Sequence, residues 1–277
     1  MQSLARDEAG QGATAVLLLH GIGGSRVIWG GPSGGPSGGV FGGVIGGTPA
    51  ALAAAGYRAI AVDLPGYGDS VACGVATLEG FVEATIQLIA EIAAPRTVLL
   101  GHSMGGMVAQ ELAARRPELV QGLVLACTSA AFGSSDGDWQ ARFIAARLAP
   151  LEAGLGMEGL AAQLVPDLVS PAAPPAILAR ARGVMSRVPE ATYRSALRAI
   201  AGFDRRAALA SIRVPTLLLA AEHDRTAPPE LMQRMAARIV GADYRCLAGA
   251  GHLANVEAPA AFDAAVIGFL QRHYPPA

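Results

Sequence analysis

Apolar residues fall along this chain in two rhythms. Short runs at 15–19, 58–62, 98–100, 123–127, 214–220 and 244–247, rich in apolar residues and bounded by glycine, proline or polar clusters, predict buried strands. Between them apolar positions recur every three to four residues and predict helices. One runs from Thr48 or Pro49 to Ala55 and stops at Gly56. Another is capped by Thr77, carries Phe81, Ile86, Leu88, Ile89 and Ile92, and ends at Pro95; Glu79 and Glu83 in its first turns suit the helix dipole. A third follows Ser103 through Met107, Val108, Leu112 and Ala113 and is closed by Pro117. Two more span 228–239 and 258–272. Strand–helix alternation of this kind predicts an α/β fold: a mostly parallel central sheet with helices on both faces. Residues 1–13 are polar and glycine-bearing, and read as ragged chain or a short edge strand.

The alternation breaks at 132–204. Phe132, Trp139, Phe143, Leu148, Leu160, Leu164, Leu178 and Val184 recur at helical spacing, and Gly and Pro divide them into three or four short helices. A length of 277 residues suits one α/β domain, 1–131 and 205–277, interrupted by this helical insertion.

Candidate chemistry concentrates where the 98–100 strand stops at Gly101. Gly101-His102-Ser103-Met104-Gly105 spans a tight strand-to-helix turn, a context in which Gly-x-Ser-x-Gly forms a nucleophile elbow. The turn demands small neighbours and lifts the Ser103 hydroxyl clear of the sheet, beside the amide of Met104. A serine hydroxyl is a weak nucleophile and needs a base and an orienting acid.

In order along the chain stand His20-Gly21, Asp63-Leu64-Pro65-Gly66-Tyr67-Gly68-Asp69-Ser70, the elbow, Glu222-His223-Asp224-Arg225-Thr226-Ala227-Pro228 and Gly249-Ala250-Gly251-His252. With these pieces the sequence resembles the α/β-hydrolase fold enzymes over most of its length, in the branch of serine esterases, enol-lactonases and cofactor-free haloperoxidases. The resemblance implies a catalytic triad of Ser103, Asp224 and His252, and an oxyanion hole from the amides of Ile22 and Met104. It also implies that 132–204 is a lid, or cap, over an apolar pocket, and that no cofactor or metal takes part. The implied activity is hydrolysis of a small to medium, fairly apolar carboxylic ester through an acyl-enzyme. Lactone or C–C bond cleavage by the same residues is the alternative, and a sensor without turnover a lesser one.

Rival residues read as structural. His20 is expected to hold its loop by hydrogen bonds, and Asp63 and Asp69 to fix a turn. His102 should point away from Ser103; Glu222 is the runner-up acid; His223 and His273 read as loop and solvated residues. Position 128, where some family members carry the acid, is Thr128. The glycine-rich 30–47 stretch has neither Gly-Lys-Ser/Thr nor a preceding strand, so it reads as a flexible loop bordering the entrance rather than a phosphate site.

Composition narrows the setting. Net charge is −1 with 21 basic and 22 acidic residues, and there is no basic stripe, which disfavours nucleic acid. Cys73, Cys127 and Cys246 lie far apart without metal-type spacing, as expected of free thiols in a reducing compartment. No signal-peptide pattern and no run of about 18 apolar residues occurs, so the expectation is a cytoplasmic protein without a membrane partner, acting on a small-molecule ester or lactone.

Overall fold

The computed structural model describes residues 3–30, 47–72, 76–133 and 137–276. Their strands are β1 (Arg6–Ala9), β2 (Thr14–Leu19), β3 (Arg58–Val62), β4 (Arg96–His102), β5 (Gly122–Ala126), β6 (Thr216–Ala221) and β7 (Asp243–Leu247). They form one sheet in the order β1-β3-β2-β4-β5-β6-β7. Every pairing is parallel except that of β1, which runs antiparallel to β3. The N-terminal stretch is thus an edge strand, and its charges (Glu8 paired with Arg6 and Arg58) guard that edge against a further strand.

The described helices are α1 (Thr48–Ala54), α2 (Leu78–Ile92), α3 (Met104–Arg115), α4 (Gly137–Glu152), α5 (Gly156–Leu168), α6 (Pro175–Met185), α7 (Glu190–Ala201), α8 (Pro229–Ala236), α9 (Ala254–Glu257) and α10 (Pro259–His273). All of β2, and all of β4 beyond its first residue, are buried, which a strand achieves only when both faces of its sheet are covered. On the helices, α1 packs with α10 and α2 with α3, while α8 covers β6 and β7.

Four helices, α4 to α7, fill the break in alternation between β5 and β6. The neck of this insertion is sealed. Ala131 and Asp204 form an antiparallel bridge, Phe132 N donates to Phe203 O at 2.9 Å, and Arg205 N donates to Ala130 O at 2.7 Å. The chain therefore leaves and re-enters the core side by side.

Some boundaries differ from the sequence reading. Strand β4 continues past Gly101 to His102, held by the pairing of His102 with Ala126. Cys127, expected as the last residue of a strand, lies just beyond β5 with φ 46°. Pro150 and Pro166 do not divide helices; they sit in the last turns of α4 and α5. Gly154, with φ 75°, makes the break instead, because a left-handed residue ends a helix where glycine accepts it without steric penalty. The glycine-rich residues 31–46 and Cys73 lie outside the described residues.

Candidate active site

Ser103 joins β4 to α3 with φ 52° and ψ −117°, a sparsely populated conformation for a residue with a side chain. Its surroundings over-determine it. Ser103 N donates to Ala126 O at 3.0 Å, and its carbonyl accepts from Gly106 N at 2.9 Å and from Thr128 Oγ1 at 2.7 Å. The elbow is also pressed onto β2: a Cβ at Gly105 would stand 2.1 Å from Leu19 O.

Two residues far away in sequence converge on that serine. His252 Nε2 lies 3.0 Å from Ser103 Oγ, and His252 Nδ1 lies 2.8 Å from Asp224 Oδ2. With Nδ1–H donating to the carboxylate, Nε2 is left to accept the serine proton. The other Asp224 oxygen, Oδ1, accepts from Thr226 N at 2.8 Å and Ala227 N at 2.9 Å. Burial alone would raise the Asp224 pKa, but the His252 imidazole and these two amides outweigh it and hold the carboxyl below its usual range.

The loop bearing His252 is clamped from three sides. Its own amide donates to Leu168 O at 2.8 Å, at the end of α5. Glu257 accepts from Gly251 N at 3.0 Å and from Ser170 N at 2.7 Å. The ring of His102 reaches back from the elbow, and its Nε2–H donates to the His252 carbonyl at 2.7 Å. His102 thus points away from the Ser103 hydroxyl. Burial, and then the neighbouring His252, push its pKa down to about 3.

This depressed value has a consequence for stability. In the unfolded chain His102 takes a proton near pH 6.5; in the folded protein it does so only near 3. Between those values the unfolded state holds the extra proton, so stability falls as pH falls, by about 1.4 kcal/mol per pH unit for this group. Urea midpoints measured from pH 6.5 down to 4 should drop steeply for wild type and less steeply for His102→Gln, by about one proton. An unchanged slope would show that His102 is not buried in its neutral form.

On the other side of Ser103, the Gly21–Gly24 loop approaches closely: a Cβ at Gly21 would lie 3.1 Å from Ser103 Cβ. Buried His20 holds this loop, accepting from Leu64 N at Nε2 (3.1 Å) and donating from Nδ1 to Gly21 O (2.8 Å). Ile22 lines the cavity at Ser103, and Met104 is the first residue of α3, where an amide has no intrahelical acceptor. Among the described residues neither amide donates to a protein acceptor.

The rival residues stand elsewhere. Asp63 accepts from Arg26 N at 2.7 Å and Asp69 N at 3.0 Å and pairs with the Arg26 guanidinium, which also holds Asp7 and Asp69. Glu222 accepts from Gly249 N at 2.8 Å, and His223 and His273 are exposed. Sequence reasoning missed Glu257 and Arg26. Both act through folded contacts between distant residues, which leave no local motif.

A cavity of about 720 Å³ opens over Ser103 and His252. Core residues supply its floor, and Phe132, Trp139, Phe143, Leu164 and Leu197, from the insertion and its approach, line it with apolar surface.

The covered parallel sheet, with these side chains gathered beyond the ends of its strands, defines a hydrolase of the α/β fold. The chain belongs to the alpha/beta hydrolase family, whose model matches residues 16–265. It is 32% identical over 268 residues to a candidate carbamate hydrolase, RutD, of Variovorax paradoxus, covering 93% of this chain and 92% of that one. A pimeloyl-[acyl-carrier protein] methyl ester esterase of Klebsiella pneumoniae is 37% identical over 130 residues, 47% of this chain and 42% of that protein. An enol-lactonase from Burkholderia xenovorans superposes with a TM-score of 0.81 at 27% identity, covering 97% and 96% of the two chains. An esterase from Thermogutta terrifontis does so at 0.80 and 28%, covering 98% and 94%. No described helix is long and apolar enough to cross a membrane.

Proposed function

We propose that this protein hydrolyses carboxylic esters of small to medium, fairly apolar molecules through an acyl-enzyme. The observation that carries the reading is the line Ser103 Oγ, His252 Nε2, His252 Nδ1, Asp224 Oδ2, with links of 3.0 and 2.8 Å. Ser103 attacks the ester carbonyl as His252 takes its proton. The imidazolium, stabilised by Asp224, then protonates the departing alcohol. Water repeats the sequence on the acyl-enzyme and restores the serine. The amides of Ile22 and Met104 stabilise the oxyanion, where loss of one donor typically lowers the rate by about 10²–10³. Residues 132–204 act as the lid, bringing apolar walls to the acyl chain. The free thiols Cys127 and Cys246 support a reducing, cytoplasmic setting.

Likeness to the enol-lactonase supports a second reading, opening of a lactone ring by the same residues. A panel of short-chain p-nitrophenyl esters against an enol-lactone separates the two. Under the first reading the esters turn over with a burst of nitrophenol. Rapid lactone opening with negligible ester turnover would replace the first reading by the second.

A further inference from the structure

One polar feature of the cavity is not used by this chemistry. Arg147 on α4 lines it, half-buried, with its guanidinium carbon 4.9 Å from the centre of the Phe143 ring. Among the described residues it has neither a hydrogen bond nor an ion pair. A guanidinium held over an aromatic face by cation–π attraction still has N–H groups to offer, and a carboxylate can accept them in a fork. Tyr193 on α7 lines the same cavity, with a hydroxyl that makes no hydrogen bond to the protein. The residue is buried, 1% exposed, and meets the ligand space only from the cavity side. Arg147 and Tyr193 are close enough to act on each other electrostatically.

Among the described residues that line the cavity, no carboxylate forms an ion pair with Arg147. Asp167 on α5 is exposed and acts on Arg147 electrostatically without forming an ion pair. Arg225, also exposed, adds a second positive charge at the cavity wall. Asp224 is committed to His252 and to two amides. A guanidinium half-removed from water among Phe132, Trp139 and Phe143 gains most from an anionic partner brought in by the ligand.

We propose that Arg147, with the Tyr193 hydroxyl, forms a subsite for a carboxylate carried by the substrate in addition to its scissile ester. The preferred substrate is then a half-ester of a dicarboxylic acid, or a lactone bearing a free carboxylate. This rests on the ester-hydrolase reading and names its substrate class.

The test compares monomethyl adipate with methyl hexanoate, the same acyl length with and without a terminal carboxylate. For wild type, kcat/KM should favour the half-ester by about 10–100-fold, the worth of a charge-assisted contact. In Arg147→Gln that ratio should collapse toward one, and Arg147→Lys should restore part of it. A wild-type ratio near one, or a ratio that survives Arg147→Gln or falls only in Arg225→Gln, overturns the subsite. A second measurement separates this from failure of the parent reading: calorimetric binding of monomethyl adipate to Ser103→Ala and to Ser103→Ala/Arg147→Gln. Binding that depends on Arg147 without wild-type turnover leaves the anion subsite standing and overturns ester hydrolysis. If turnover and Arg147-dependent binding are both absent, both proposals fall.

Discussion

Ser103→Ala should hydrolyse p-nitrophenyl butyrate with a kcat about 10³-fold or more below wild type, with little change in thermal stability. The substitution removes one oxygen and leaves Asp224, His252 and both elbow glycines in place. The elbow backbone is held by the Ser103 amide and carbonyl, not by its hydroxyl. His252→Ala should lose a similar factor, because a hydroxyl without its base is not deprotonated on attack. The double variant should be no slower than the worse single one, since the two groups act as a unit and the residual rate comes from oxyanion stabilisation and binding. A Ser103→Ala protein within tenfold of wild type would place the chemistry elsewhere.

The second large effect falls on folding. Gly105→Ala should destabilise the protein by about 3 kcal/mol or more, lowering Tm by roughly 6–12 °C for a chain of this size. The added Cβ would lie 2.1 Å from Leu19 O and 2.9 Å from His20 O, both backbone atoms of a central strand and its exit. Neither can yield without parting β2 from the elbow. Gly183→Ala is the same chemical change inside α6, where an added Cβ meets nothing within 4 Å. There alanine should stabilise by about 0.5–1 kcal/mol through its better helix propensity. Thermal melts of the two variants should therefore move in opposite directions. Equal losses would mean that the elbow is not packed against β2.

What the sequence disclosed of this arrangement follows from how local each signal is. The fully buried strands could be read because a parallel sheet covered on both faces needs continuous apolar runs, as at 15–19 and 98–100. The elbow could be read because its turn constrains consecutive residues. Asp224 and His252 could be singled out by their order behind the serine, and the structure brings them to within hydrogen-bond reach of one another. Long-range contacts were not legible. Nothing around position 257 announces that its carboxylate joins Gly251 to Ser170, and α9, only four residues long, is too short to show a period. Arg26 holding Asp7, Asp63 and Asp69 brings three separate stretches together. Nothing in the sequence around position 147 marks Arg147; it lines the cavity only once the insertion is folded.

The central claim is that the Ser103 hydroxyl is made reactive by His252. A fluorophosphonate probe tests it most directly, with the modified residue located by mass spectrometry. The adduct should form on Ser103 in wild type and be lost in His252→Ala. An adduct on another residue, or labelling of Ser103 at the same rate without the imidazole, would contradict it.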